Sequence, residues 1–117
     1  MRIRDNFKKG SVEMLILLLL CEGDQYGYQL SQLIEERSNH ILTIPEGSMY
    51  PTLYRLVDNH YISDHRELVG KRMMRVYYHI EPAGRKRLEE MRREYQLVCD
   101  GIQSVFDKTT IGGENHE

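Results

Sequence analysis

The apolar positions of this chain follow a helical spacing at first, then alternate strictly, and return to a helical spacing towards the end. The first part predicts three helices, over residues 7–22, 26–38 and 45–62. The alternating part predicts a β-hairpin over residues 61–80, and the last part predicts one long helix over residues 82–108. This is the element order of a winged helix-turn-helix with an added C-terminal helix, so the predicted fold class is α+β, mainly α.

The first two helices are predicted to contribute the centre of the core. The first is apolar nearly all round after Met14, which is typical of a buried helix. The chain then turns at Gly23, and Asp24 is predicted to cap the second helix. That helix is predicted to bury three aliphatic residues and to keep three glutamines polar: Leu30, Leu33 and Ile34, and Gln25, Gln29 and Gln32.

The third helix has two chemically different faces. The apolar face consists of Met49, Leu53, Leu56 and Val57, whereas Ser48, Pro51, Arg55 and Asn59 lie opposite, with Tyr50 and Tyr54 along the flank. Pro51 removes only one early backbone hydrogen bond, whereas deeper in a helix it would cost about 3 kcal/mol. Hydroxyls, phenols and a guanidinium outside the core suit hydrogen bonds to base edges and phosphates in a major groove, although a merely solvated face is the alternative.

The predicted hairpin has a basic tip. One strand covers about residues 61–68, and in the other Met74, Val76, Tyr78 and Ile80 alternate with Met73, Arg75, Tyr77 and His79. Gly70, Lys71 and Arg72 form the turn, and Arg75 is placed near the base. The hairpin therefore predicts a wing that lies along the DNA backbone or in the minor groove.

The final helix carries a heptad pattern. Its apolar positions are separated by three or four residues and are Leu88, Met91, Tyr95, Val98, Ile102 and Val105. Such a seam favours a homodimer held by these helices, with packing inside one chain as the alternative. A dimer would present two recognition helices about 34 Å apart, which predicts a palindromic operator.

Charge is segregated along the chain although the net charge is only −2. Residues 1–10 carry four basic groups against Asp5, and residues 71–93 carry eight against three glutamates. The remaining segments are acidic. Two local basic segments are expected if each meets a polyanion, although solvated faces would give the same pattern. The N-terminal basic arm is predicted either to touch phosphate or to cross to a partner subunit.

Several classes of function are disfavoured by the sequence. The most apolar run, residues 14–21, is shorter than the roughly 20 residues that span a bilayer, so a cytoplasmic protein without membrane contact is expected. Cys21 and Cys99 are predicted to be buried free thiols, with a disulfide or redox switch as the alternative. No nucleophile elbow, glycine-rich phosphate loop or metal-ligand spacing is present, so neither an enzyme, a cofactor nor a metal is expected.

Three motifs of the chain resemble those of the PadR family of bacterial transcriptional regulators. The resemblance rests on "YGYQL", "EGSMYPTLYRL" and "RVYYHIEPAG", which occur in order over residues 12–88. It implies a dimeric winged-helix repressor that releases double-stranded operator DNA when a small phenolic or planar aromatic effector acts. A winged helix that binds protein in place of DNA is the alternative.

The resemblance also implies site residues and domain limits. The DNA-facing residues carried over are Tyr26, Ser48, Tyr50, Pro51, Tyr54, Arg55, Lys71 and Arg72, while Tyr77 would reach DNA or the wing. Tyr95, with Met91, is the candidate ligand site where some relatives have a tryptophan. Glu81 replaces a common threonine and implies a looser start of the last helix. We expect a DNA-binding domain over residues 1–81, a dimerisation helix over 82–108 and a disordered tail over 109–117.

Overall fold

The computed structural model describes residues 3–112, which form five helices and one small antiparallel sheet. In chain order the elements are α1 (Ile3–Lys8), α2 (Val12–Leu20), β1 (Gln25–Tyr26), α3 (Gly27–Arg37), α4 (Glu46–Asp58), β2 (Ile62–Val69), β3 (Met73–Ile80) and α5 (Pro82–Asp107). The predicted class, mainly α with a winged helix-turn-helix and a long last helix, is confirmed. The expected tail lies mostly outside the described residues, as does Arg2 of the basic arm.

The prediction of one continuous helix over residues 7–22 is wrong. The chain forms α1, turns at residues 9–11, and begins again as α2. The Ser11 hydroxyl donates to the Lys8 carbonyl at 2.6 Å, and the Ser11 amide donates to the same carbonyl at 2.8 Å. A serine that bonds to nearby backbone, next to the poor helix former Gly10, interrupts the helix.

The start of α3 also differs from the prediction. Asp24 does not cap the helix, since its carboxylate pairs with His79 Nδ1 at 2.7 Å. The residues that follow it form the short strand β1, which pairs with β3 through Gln25 and Tyr26. Gln25 is therefore buried rather than solvated, and its amide donates to the Leu19 carbonyl at 3.0 Å. A two-residue strand has too short a period to be visible in the sequence.

The sheet has the order β1-β3-β2, and the β2–β3 hairpin is the predicted wing. Ile62 pairs with Ile80 at its base and Val69 pairs with Met73 at its tip. Gly70 has a φ of 71°, which favours glycine in the turn. Arg75 pairs with Glu67 in the outer half of the hairpin, so its predicted place near the base is wrong.

The core lies between α2, α3, α4 and the base of the wing. Each contributes fully or nearly fully buried side chains, including Ile16, Leu17, Leu30, Leu53, Leu56, Ile62 and Ile80. Tyr78 is buried as predicted, but Met74 on the same face is exposed, because the hairpin extends beyond the helices that cover its base. Both cysteines are free and only half-buried.

The first turn of α5 is closely packed against the start of β2. A Cβ added to Gly84 would lie 2.1 Å from the Tyr61 carbonyl oxygen, so only glycine fits this position. The Glu81 amide donates to that same carbonyl, and the Glu81 carboxylate accepts from Ser63 Oγ at 2.5 Å. Glu81 makes no capping bond to α5, but the looser junction that it implied is not observed.

Candidate nucleic-acid interface

Helix α4 begins where the sequence predicts, but the prediction that it continues to residue 62 is wrong: it ends at Asp58, because His60 adopts a φ of 63° and the chain enters β2 at Ile62. Pro45 is extended at the N-terminus, and its carbonyl accepts from the Met49 amide at 3.0 Å. Pro51 lies inside the helix, where it removes a hydrogen bond to the Gly47 carbonyl. Gly47 is exposed, so water can hydrate that carbonyl and the cost of the proline is small.

The outer face of α4 is polar and solvent-exposed. We use this name for Ser48, Pro51, Tyr54 and Arg55, which are all exposed. On the other side Met49, Leu53 and Leu56 are buried, so the apolar stripe is fully used by the core. The helix thus presents a hydroxyl, a phenol and a guanidinium on a rigid element, which can donate to base edges and phosphates.

Tyr50 lies between the outer face and the core. Its ring packs over Gly27, where an added Cβ would lie 2.8 Å from the phenol oxygen, and its centroid is 6.2 Å from the Tyr54 ring. Burial, followed by the nearby Glu46 charge, raises the pKa of Tyr50. The phenol therefore stays protonated at neutral pH and retains its capacity to donate a hydrogen bond.

Tyr26 was predicted to lie on the second helix, but it ends β1 immediately before α3. Its ring meets Tyr77 edge-on at 5.5 Å, and the Arg75 guanidinium lies 4.3 Å from its centroid. His65 stacks on Tyr77 from the other side at 5.7 Å. These contacts restrain the Tyr26 ring, and they pack the Tyr77 ring within the wing.

A groove of about 810 Å³ separates the wing from α4 and the start of α3. Four tyrosines and two arginines are among its lining residues: Tyr26, Tyr50, Tyr54, Tyr78, Arg66 and Arg75. Arg66 was missed by the sequence reading, although its alternation with Ile62 and Asp64 indicated the strand face that carries it. Lys71 and Arg72 lie exposed in the turn beyond this groove.

Arg55 is linked to two other elements through Glu13 of α2. Arg55 Nη2 lies 3.8 Å from one carboxylate oxygen of Glu13, and Arg87 Nε of α5 donates to the other at 2.9 Å. The Glu13 hydrogen bond raises the pKa of Arg87. Glu13 was not singled out by the sequence, because nothing in its spacing indicates contacts with α4 and α5.

The N-terminal arm lies beside the same helix. A second groove of about 680 Å³ is lined by residues of α1, α2, α4 and the loops next to them, among them Lys8, Lys9, Ser48 and Arg55. Lys8 Nζ donates to the Thr43 carbonyl at 2.6 Å and pairs with Asp5 at 3.1 Å, which anchors the arm. Lys9 remains exposed next to the outer face of α4.

The predicted seam of α5 divides into two parts. Leu88 and Met91 are partly buried against the core of their own chain. Tyr95, Val98, Ile102 and Val105 are all more than half exposed. The neighbouring Cys99 thiol raises the pKa of Tyr95. The two candidate ligand residues therefore differ, since Met91 faces the core and Tyr95 faces solvent.

Two further absences hold for the part of the chain that is described. Within residues 3–112, no helix is both long enough and apolar enough to cross a bilayer. Among the same residues, no cluster of histidine, cysteine or acidic side chains is arranged to hold a metal ion.

The fold and this surface define a winged-helix protein with an exposed polar helix and a basic wing, which is the class of the DNA-binding regulators. Residues 16–90 match the "Transcriptional regulator PadR-like family", so the chain belongs to that family. Members of this family are transcriptional regulators and not enzymes.

Relatives agree with this assignment. The chain is 30% identical over 110 residues to a transcriptional regulator of Mycobacterium tuberculosis, covering 94% of this chain and 92% of that protein. It is similar to the structure of a transcriptional regulator from Clostridium thermocellum, with a TM-score of 0.79, 33% identity, and coverage of 85% and 96%. The fold also matches Bacillus subtilis PadR in complex with operator DNA, with a TM-score of 0.64, 18% identity, and coverage of 91% of this chain and 52% of that one.

Proposed function

We propose that this regulator binds a palindromic operator as a homodimer and acts as a ligand-responsive repressor. The observation that carries the proposal is the exposed polar outer face of α4 beside the wing, both outside a core that is already complete. In the bacterial cytoplasm such a protein would meet the chromosome. The domain limits proposed are 1–81 for DNA binding, 82–108 for dimerisation and 109–117 for the tail.

The DNA-facing residues proposed are those carried over from the motifs, with a division of roles. Ser48, Tyr54 and Arg55 are suited to base edges, because they project from a rigid helix that fits a major groove. Lys71 and Arg72 are suited to phosphates, because they are exposed in a turn. Pro51 contributes to the outer face itself, while Tyr26 and Tyr50 support this surface from its flank.

The homodimer is supported by the exposed part of the α5 seam. Val98, Ile102 and Val105 are 57%, 51% and 65% exposed at heptad spacing on a helix that extends well beyond the core. The described residues extend 67 Å along the longest axis against 27 and 21 Å across, and none of residues 3–112 covers this seam. A second α5 would bury these side chains by coiled-coil packing.

The effector site proposed is the dimer interface around Tyr95. Two Tyr95 rings from a pair of α5 helices would offer aromatic surfaces to a flat ligand. Met91 lies one turn away but against the core, so it would line the floor of such a site rather than stack on the ligand.

The test is a fluorescence-anisotropy titration with DNA from the region upstream of the protein's own gene, beside a scrambled duplex, at two salt concentrations. We expect tight, salt-sensitive and sequence-selective binding with two subunits per site. Equal weak binding to both duplexes would contradict operator recognition. Absence of binding at low salt would reject the DNA role and favour a winged helix that binds protein.

A further inference from the structure

Glu13 occupies a junction between the surface proposed to meet DNA and the helix proposed to form the dimer. It lies in the first turn of α2, and its side chain is only 14% exposed. One carboxylate oxygen is bound by Arg87 of α5 and the other lies within ion-pair range of Arg55 of α4. A single acidic group is therefore shared by two cations on different elements.

The two contacts are unequal. Arg87 donates a short hydrogen bond at 2.9 Å, and its guanidinium also lies 5.4 Å from the centroid of Tyr61. Arg55 lies at 3.8 Å, and its side chain remains 56% exposed. Arg87 thus satisfies most of the negative charge of Glu13, and Arg55 is restrained only weakly in the absence of DNA.

We propose that Glu13 is a positioning residue that sets how available Arg55 is to DNA, and that Arg87 controls Glu13 from the dimerisation helix. When Arg87 holds the carboxylate, Arg55 is free to leave it for a base or phosphate. When Arg87 is withdrawn, the full charge of Glu13 acts on Arg55 and competes with DNA. A shift of α5 against α2 therefore changes DNA affinity without moving α4.

This inference rests on the proposed function for its DNA arm, which is a double-mutant cycle measured by anisotropy on the operator. Glu13→Gln removes the competing charge and keeps an oxygen that accepts from Arg87, so binding should tighten about threefold. Arg87→Met should weaken binding about threefold when Glu13 is present, but should have no effect in the Glu13→Gln background. Arg93→Met is the matched control, because it removes one charge from an exposed position farther along α5.

An Arg87→Met effect that persists in the Glu13→Gln background would overturn the inference, since Arg87 would then act on DNA directly or through the fold. Arg93→Met weakening binding as much as Arg87→Met would overturn it too, because the effect would then be general electrostatics. Sedimentation at the titration concentration checks that each variant keeps the oligomeric state of the wild type.

A second arm does not involve DNA and separates this inference from the proposed function. NMR of the arginine side chains reports the mobility of the Arg55 Nε–H group. Its order parameter should fall in Glu13→Gln and rise in Arg87→Met, relative to the wild type. An unchanged Arg55 signal in both variants would overturn the inference. If the wild type bound no duplex selectively, the proposed function would fail and this arm would still decide whether Glu13 positions Arg55.

Discussion

Helices α4 and α5 are both amphipathic, yet they use their apolar faces in opposite ways. In α4 the apolar positions Met49, Leu53 and Leu56 are almost completely buried inside the chain. In α5 only Gly84 is buried, Leu88 and Met91 are partly covered, and the rest of the seam is open to solvent. The apolar face of α4 is covered by the core of its own chain, whereas most of the apolar face of α5 is not.

The difference shows what each helix still lacks. The surface left over on α4 is polar and carries Arg55, so burying it requires a partner with hydrogen-bonding and anionic groups. The surface left over on α5 is a row of one aromatic and three aliphatic side chains, so burying it requires an apolar partner such as another helix. The chemistry of the uncovered face thus distinguishes a nucleic-acid partner from a protein partner.

The largest effect is expected where α5 joins the core. Gly84→Ala places a Cβ against the Tyr61 carbonyl, which cannot move without disturbing β2. We expect a loss of about 4 kcal/mol in the free energy of unfolding, measured by urea denaturation. Gly101→Ala is the matched control, because a Cβ there meets nothing within 4 Å and should stabilise the helix by up to about 1 kcal/mol. Equal effects would mean that α5 is not anchored at Gly84.

The next effect concerns the uncovered half of α5. Ile102→Lys places a charge in the centre of the seam. We expect the dissociation constant of the dimer to rise more than about 100-fold, because about 3 kcal/mol of association free energy is lost. Analytical ultracentrifugation measures this directly. Gln96→Lys adds the same charge elsewhere on the helix, next to Asp100, and should leave the dimer intact. Dimers unaffected by Ile102→Lys would show that α5 is covered by something other than its own copy.

The buried phenol of Tyr78 makes the stability of the fold depend on pH. Burial raises the pKa of Tyr78 to about 12, above its ordinary value of 10.0. Below pH 10 the phenol is therefore neutral in both the folded and the unfolded chain. Above pH 10 the phenol ionises first in the unfolded chain, which favours unfolding. Stability should fall by about 2 kcal/mol as the pH rises from 10 to 12. Urea denaturation should show a flatter profile for Tyr78→Phe over this range, and identical profiles would place the phenol in solvent.

Much of this fold follows from the sequence, because long periodic segments define their own burial. The apolar stripe of α4, the alternation that buries Tyr78 and Ile80, and the length of α5 were all predicted. The break between α1 and α2 was not, because a single serine bonding to the backbone decides it. The strand β1 was missed for a similar reason, since two residues acquire their conformation only by pairing with β3.

The candidate site is less predictable than the fold. The outer face of α4 could be predicted, because residues three or four positions apart lie on the same side of a helix. The Glu13 contacts with Arg55 and Arg87 were not, because they join residues on three elements far apart in the sequence. The place of Arg75 in the outer half of the wing was also misjudged, and its packing over Tyr26 was not predicted, because that contact depends on β1.

A moderate effect on DNA affinity is expected from Arg55 on the outer face of α4. Arg55→Ala should weaken operator binding by about 1 to 3 kcal/mol, and binding to random DNA by less, because a base-reading guanidinium is lost. Anisotropy titrations on both duplexes compare the two losses. Arg37→Ala removes one exposed charge at the end of α3, where Arg37 pairs with Glu22, and is the control. Equal losses on both duplexes would reduce Arg55 to a phosphate contact.

The smallest effect is expected at the tip of the wing. Lys71 is exposed in the turn, so its ammonium is suited to a phosphate rather than to a base. Lys71→Ala should weaken binding to operator and random DNA alike, and should reduce the slope of log affinity against log salt by about one. The slope is measured by anisotropy over a series of salt concentrations, with Lys108→Ala at the far end of α5 as the control. A loss confined to the operator would assign base recognition to the wing, and α4 would no longer be the only element that reads sequence.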